Sequence, residues 1–119
     1  MDAAQALADL TELSAQIERA AVVDEQGTVL ASTFADDERA RRFADGARRL
    51  ADEAETARAA RGLAGLAQLE AATLGGSVFV VRDGRKLIAA TTRPEPTVGL
   101  VFYDLKHCLR AIDDADAAA

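Results

Sequence analysis

The sequence has few of the residues that most often carry metal, redox or covalent chemistry. Its 119 residues include one cysteine, Cys108, one histidine, His107, and no tryptophan. A single cysteine excludes an internal disulfide and a cysteine-based metal site. Basic residues are also outnumbered, 14 against 20 acidic ones, so the formal net charge is −6. The chain therefore lacks the basic surface that is typical of nucleic-acid-binding proteins.

Long apolar runs are missing as well. No segment approaches the ~20 consecutive apolar residues that span a bilayer. A signal peptide begins with a basic region that is followed by an apolar segment, and the acidic N-terminal stretch has neither. We therefore expect a cytoplasmic protein that does not insert into a membrane. Any association with a membrane surface is expected to occur through a partner.

Alanine dominates the apolar residues that are present. Hydrophobic residues make up 50% of the chain, and 28 of them are alanine. Because alanine buries little area, the core is thin for a single domain of this length. Burial against a second copy or another protein would complete it. We expect one domain over residues 1–113 and a frayed acidic tail over 114–119.

Hydrophobic periodicity predicts a helix and then a hairpin in the first third of the chain. Residues 2–19 repeat apolar side chains every three to four positions, as an amphipathic helix does. The period changes to two in residues 20–23 and 28–33, which predicts two strands. Asp24 and Gly27 between them are typical of a tight turn. Turn chemistry explains Asp24 better than metal binding, because no second ligand lies nearby in sequence.

Residues 36–60 form the longest helical pattern, which ends before Gly62. Oppositely charged residues at helical spacing predict that most of its arginines pair along the helix and form a solvated face. A contact surface for a charged partner is the alternative. The predicted pairs are Glu38–Arg42, Asp45–Arg49, Arg48–Asp52 and Arg49–Glu53. The predicted inner stripe is Ala40, Phe43, Ala44, Ala47, Leu50, Ala51, Ala54 and Ala57.

Three strands with tight turns follow the long helix. Residues 66–73 alternate weakly and carry few large side chains, as expected at a sheet edge. Gly75-Gly76 leads into an apolar strand over 77–82, and Asp83-Gly84 is the strongest hairpin signal in the chain. The next strand covers 85–92, so the three form an antiparallel meander.

A last helix follows Pro94 and Pro96. Thr97 is the predicted N-cap, and the helix extends to about Asp113. The element order is then α-β-β-α-β-β-β-α, which predicts an α+β fold. The predicted inner stripe is Val98, Val101, Phe102, Leu105, Leu109 and Ile112.

No constellation of residues predicts catalysis or a cofactor. His107 lies on the outer side of the last helix, and neighbouring Cys108 points about 100° away, so they cannot act as a nucleophile and its base. The glycine clusters at 62–65 and 75–76 lack the Lys and Ser/Thr of a phosphate loop. We predict that the protein is not an enzyme and binds no cofactor or metal.

Three local motifs, in this order and spacing, resemble the Roadblock/LC7 family. They are the hairpin AVVDEQGTVLAS at 21–32, the meander at 69–92 with Gly75-Gly76 before its middle strand, and VGLV at 98–101. The family includes GTPase-activating partners of bacterial gliding-motility GTPases and dynein light chains. Together the motifs cover nearly the whole chain.

This resemblance implies a fold and a dimer. The expected fold is a five-stranded antiparallel sheet with two terminal helices on one face and a long central helix on the other. Two copies are expected to pair through the third strand, with the central helices side by side, giving a homodimer. The expected interface residues are Phe43, Ala47, Leu50, Ala54, Gln68, Leu69 and Glu70.

The resemblance also implies a small Ras-like GTPase as the partner, bound near the central helices and regulated by arranging its own catalytic groups. A sensor kinase or another signalling protein is a further candidate partner. The expected GTPase contacts are Arg39, Arg42, Gly46, Arg49 and Glu53. The candidate arginine fingers are Arg39, Arg42, Arg49 and Arg58. Pairing along the helix argues against most of these arginines as fingers.

An adaptor, or a ligand-sensing signalling domain without GTPase activation, is the alternative function. A concave apolar pocket with convergent polar groups would identify the sensor. The sequence has few large residues to line such a pocket.

Overall fold

Three helices and five strands follow one another in the predicted order, within the residues that the computed structural model describes, 1–59 and 68–112. The strands form one antiparallel sheet in the order β2-β1-β5-β4-β3. This arrangement confirms the predicted α+β class. The elements are α1 (Ala3–Leu13), β1 (Ile17–Val23), β2 (Val29–Ser32), α2 (Asp37–Ala59), β3 (Gln68–Thr73), β4 (Gly76–Asp83), β5 (Lys86–Thr92) and α3 (Val98–Ala111).

Helices cover both faces of the sheet, as expected. On one face α1 and α3 enclose a core that includes Phe79 and Ile88, with the Phe79 ring edge-on to Phe102 at 4.9 Å. On the other face α2 packs against Val80 and Leu87. Because successive strand residues point to opposite faces, the continuous apolar run of β4 supplies both cores.

The first helix is shorter than its periodicity predicts. It ends at Leu13, and Ser14 donates its backbone N–H to the carbonyl of Leu10. Ile17 and Arg19, predicted as helical, instead belong to β1 and pair with Thr92 and Thr91. Strand pairing with β5 satisfies these backbone groups, so tertiary context overrides the local helical pattern.

The last helix also departs from prediction at both ends. Thr97 occupies the N-cap position, but its hydroxyl makes no capping hydrogen bond, and its backbone N–H donates to Gln16 Oε1 at 2.6 Å. Val98, predicted on the inner stripe, is 39% exposed. The helix ends at Ala111, and Ile112 donates its N–H to the Leu109 carbonyl.

Several predictions concern residues outside the described ranges. They are the helix stop at Gly62, the glycine cluster at 62–65, residues 66 and 67 of the third strand and the tail after residue 113. Within the described residues, no helix is long and apolar enough to cross a membrane.

The β1–β2 turn confirms the structural interpretation of Asp24. Its Oδ1 accepts backbone N–H groups from Gln26 and Thr28, both at 2.9 Å, and the side chain is only 8% exposed. The Gly27 N–H donates to the Asp24 carbonyl at 3.1 Å. The carboxylate thus closes the hairpin from inside the turn.

Replacing Asp24 with alanine is expected to lower the free energy of unfolding by about 1–3 kcal/mol, because two partly buried N–H groups lose their acceptor. Asp24→Asn keeps one acceptor oxygen and serves as the matched control, with a loss below about 1 kcal/mol. Equilibrium urea unfolding measures both variants. Equal losses for the two variants would contradict this role.

Candidate interaction surface

The sheet-facing side of α2 is built from alanines. Ala40, Ala44, Ala47 and Ala51 are all buried, and the last three belong to the core beneath the helix. Their small side chains let the helix lie close to the sheet. Ala47, predicted at the dimer interface, is 4% exposed and covered by its own protomer.

One flank of α2 carries larger apolar side chains that the protomer covers only in part. Phe43 and Leu69 pack against the core beneath α2 yet stay half-buried, and Phe34 lies 5.1 Å from the Phe43 ring. Leu50, seven residues after Phe43 on the same flank, is 38% exposed. Ala54 is half-buried. We call Phe43, Leu50, Ala54 and Leu69 the α2–β3 surface.

The third strand lies at the edge of the sheet, as predicted. It pairs with β4 along one side, and no other strand of the described residues pairs along the other. Alternation puts Leu69 on the α2 face and half-buried Gln68 and exposed Glu70 on the opposite face. The Gln68 Oε1 atom is shielded from solvent and accepts no hydrogen bond from a described residue.

The five predicted GTPase contacts lie on the solvent side of α2. Arg42, Gly46, Arg49 and Glu53 follow one another at helical spacing opposite the alanine stripe, and Arg39 lies beside them. All five are exposed, and no heavy atom lies within 4 Å of the position that a Cβ on Gly46 would take. The helix thus presents a stripe of mixed charge with a gap at its centre.

Most of the predicted ion pairs along α2 do not form. Glu38 and Arg42 pair at 2.8 Å, as predicted. Asp52, however, pairs with Arg82 of β4, and Arg48 donates to the Glu25 backbone carbonyl at 3.3 Å. Arg49 makes no ion pair with any described residue, so the prediction that the helix pairs its own arginines is wrong for this one.

Sequence reasoning missed the link between α2 and the sheet through Arg82. Its guanidinium contacts Asp52 at 3.0 Å and Glu55 at 2.9 Å. Burial by itself lowers the pKa of Arg82, but the two carboxylates outweigh it and raise that pKa above its ordinary value. Strand alternation was the available signal, because Arg82 shares its face with Val80, which packs under α2.

A buried lysine at the start of β5 was missed too. Lys86 is 7% exposed, and its Nζ donates to the backbone carbonyl of Ile112 at 2.9 Å. This bond ties the start of β5 to the carboxyl end of α3, where a positive charge is favourable.

His107 and Cys108 do not form a catalytic pair. His107 is exposed, and its ring is stacked beside Tyr103 at 6.4 Å. Cys108 is 4% exposed. Burial, together with the negative charge of Asp9, raises the pKa of the Cys108 thiol to about 11, so the thiol is protonated at neutral pH. Within the described ranges, no three His, Cys, Asp or Glu residues are grouped so that they could hold a metal ion.

Comparisons with known proteins identify relatives of this fold. A family model described as the Roadblock/LC7 domain matches residues 3–92. A Roadblock/LC7 domain from Streptomyces avermitilis superposes with a TM-score of 0.84 at 16% identity, covering 93% of this chain and 94% of that one. No curated protein sequence matches.

Two further solved structures are MglB proteins. The gliding protein MglB from Thermus thermophilus has a TM-score of 0.73 at 17% identity, over 98% of this chain and 90% of its own. A structure described as MglB with a tetrameric arrangement has a TM-score of 0.69 at 19% identity, over 91% and 85%. At these identities the likeness is one of fold.

Proposed function

The chain belongs to the Roadblock/LC7 domain family, and on that premise we propose that it is a homodimeric module that binds and regulates a small Ras-like GTPase. The observation that carries the proposal is the division of α2 into three sides. One side is buried on the sheet, one flank is apolar and half-covered, and the outer side is exposed and charged. A helix of this kind can serve a second copy and a charged partner at once.

Dimerisation follows from the α2–β3 surface. Phe43 and Leu50 on one flank of α2, and Leu69 on the edge strand β3, are only partly covered, and the outer backbone groups of β3 have no strand partner among the described residues. In the proposed dimer, β3 pairs with β3 of the second copy and the two α2 helices lie side by side. This arrangement buries the exposed apolar area and gives the outer backbone groups of β3 hydrogen-bond partners. The tetrameric arrangement of one MglB neighbour supports association in this fold.

The GTPase binds across the paired α2 helices. Each copy contributes Arg42, Arg49 and Glu53 around the gap at Gly46, so the dimer offers both signs of charge to a partner. Regulation proceeds by ordering the catalytic groups of the GTPase, as the family resemblance implies. Arg39 and Arg49 have no ion pair with any described residue, and Arg49, one helical turn from Gly46, is the one nearer the gap.

Replacing Arg49 with alanine is expected to weaken GTPase binding about tenfold or more, since a desolvated arginine is a frequent energetic centre of an interface. The measurement is titration calorimetry with the Ras-like GTPase encoded nearest to this protein, loaded with GDP or a GTP analogue. Arg41→Ala, on another side of α2 and equally exposed, is the matched control and leaves the affinity unchanged.

The same samples test regulation. GTP hydrolysis by the GTPase is measured with and without this protein, and a change in rate that Arg49→Ala removes supports the proposal. Absence of both binding and a rate effect would overturn the GTPase role.

A further inference from the structure

The last two turns of α2, residues 52–59, have little apolar contact with the sheet. Ala51 is the last buried residue of the helix, and the core beneath α2 contains no later residue of it. Among residues 52–59, Ala54 and Glu55 are half-buried and the other six are exposed. Because buried apolar area supplies most of the free energy that docks a helix, these turns depend on another attachment to the sheet.

Arg82 supplies that attachment. Its Nη2 atom lies 3.0 Å from Asp52 Oδ1 and its Nη1 atom lies 2.9 Å from Glu55 Oε2, so one guanidinium holds both carboxylates. Asp52 and Glu55 are three residues apart and therefore neighbours on one side of the helix. In the part of the chain that the structure describes, the hydrogen bonds and ion pairs that join these turns to the sheet all come from this guanidinium. We call Arg82, Asp52 and Glu55 the Arg82 clasp.

The sheet end of the clasp belongs to a paired hairpin. Arg82 lies one residue before the end of β4 and pairs with Leu87 of β5. Its side chain is 22% exposed, against 59% for Asp52 and 37% for Glu55. A planar guanidinium that meets two carboxylates fixes their direction, but solvent reaches both carboxylates, so salt screens the pairs. The position of the last two turns therefore depends on charge.

The clasp lies beside residues that are expected to meet partners. Glu53, an expected GTPase contact, follows Asp52, and Ala54, part of the α2–β3 surface, precedes Glu55. Arg49 lies one helical turn before Asp52. Movement of residues 52–59 away from the sheet would displace Glu53 and Ala54 together.

We propose that Arg82 is a positioning residue for partner binding. It holds residues 52–59 on the sheet through Asp52 and Glu55, so that α2 presents Glu53 and Ala54 in one arrangement. The inference rests on the proposed function for the identity of the partner, a Ras-like GTPase. If the GTPase binds only this arrangement, its affinity is proportional to the fraction of molecules in which the clasp is closed.

The first test needs no partner and measures amide hydrogen exchange in the full chain. Arg82→Met keeps an apolar stem of similar length and removes the charge. The amides of residues 52–59 should exchange about tenfold faster in this variant, because two partly exposed ion pairs are lost. Added salt should speed their exchange in the wild type and not in Arg82→Met. Arg85→Met, in the exposed β4–β5 turn, is the matched control and leaves the exchange unchanged.

The second test measures affinity for the Ras-like GTPase by titration calorimetry. Arg82→Met should bind about tenfold more weakly, in step with the loss of protection in residues 52–59. Arg82→Lys keeps the charge and should recover most of both the affinity and the protection. Arg85→Met should bind as the wild type does.

Each further outcome decides against the proposal. Unchanged exchange in Arg82→Met would overturn the clasp, and faster exchange with unchanged affinity would overturn the positioning role. Equally faster exchange throughout β5 would show a general loss of stability and would also overturn it. A wild-type protein that binds no GTPase would overturn the proposed function and this role together, whereas failure of the Arg82 role by itself leaves wild-type binding intact.

Discussion

Leu50→Asp is expected to abolish the proposed dimer and leave a monomer of 12.5 kDa at micromolar concentration. Leu50 is 38% exposed on the apolar flank of α2, where the second copy is expected to pack. In a two-fold dimer the substitution places two carboxylates in one apolar interface, and their desolvation costs several kcal/mol without a compensating partner. Sedimentation velocity measures the mass.

Leu100→Asp is the matched control for the proposed dimer. It makes the same chemical change at a leucine of α3 that is 50% exposed, on the face of the sheet opposite α2, and the mass should stay that of the wild type. Circular dichroism separates loss of association from loss of fold. A wild-type protein that sediments as a monomer at micromolar concentration, or a Leu50→Asp variant that stays dimeric, would contradict the proposed interface.

Gly76→Ala is expected to lower the free energy of unfolding by about 2–4 kcal/mol. Gly76 begins β4 with a φ of 143°, which residues with a side chain rarely adopt. A Cβ at this position would also collide with the backbone carbonyl oxygen of Thr92 in the neighbouring strand. The clash is with backbone, so a side-chain movement cannot relieve it. Equilibrium urea unfolding measures the loss.

Gly75→Ala provides the comparison within the same turn. No heavy atom lies within 4 Å of a Cβ there, so the change should stay within about 0.5 kcal/mol. Because Gly76 pairs with Thr73 at the end of β3, the strand proposed to pair with its copy, Gly76→Ala should also weaken the proposed dimer, whereas Gly75→Ala should not. Equal stabilities for the two variants would refute the role assigned to Gly76.

Local sequence patterns were sufficient where a segment makes its own contacts. The Asp24 turn is closed by bonds within five residues, and the Asp83-Gly84 signal marks a real hairpin, with Gly84 and Arg85 in its turn. The order of helices and strands could likewise be predicted, as could the buried alanines of α2 from Ala40 to Ala51, although Ala57, predicted on the same inner stripe, is exposed. Periodicity failed at the end of α1, where the 3.6-residue pattern continues through Ile17 although the backbone is paired with Thr92.

The candidate surface could be predicted only in part. Helical spacing predicted a solvated arginine face on α2, and Arg42 and Arg49 are indeed exposed. It could not show that Asp52 turns to Arg82, 30 residues away in the chain. Charge pairs along a helix contribute only about 0.3–0.5 kcal/mol, so a cross-element partner easily displaces them.

The sequence by itself determined the element order, the turns and the division of α2 into an alanine side and a charged side, because these depend on residues close together in the chain. Tertiary structure alone decided which apolar residues remain exposed and which carboxylates Arg82 contacts. Those outcomes depend on how far apart the elements lie and which side chains meet across them. Spacing along the chain carries no information about either.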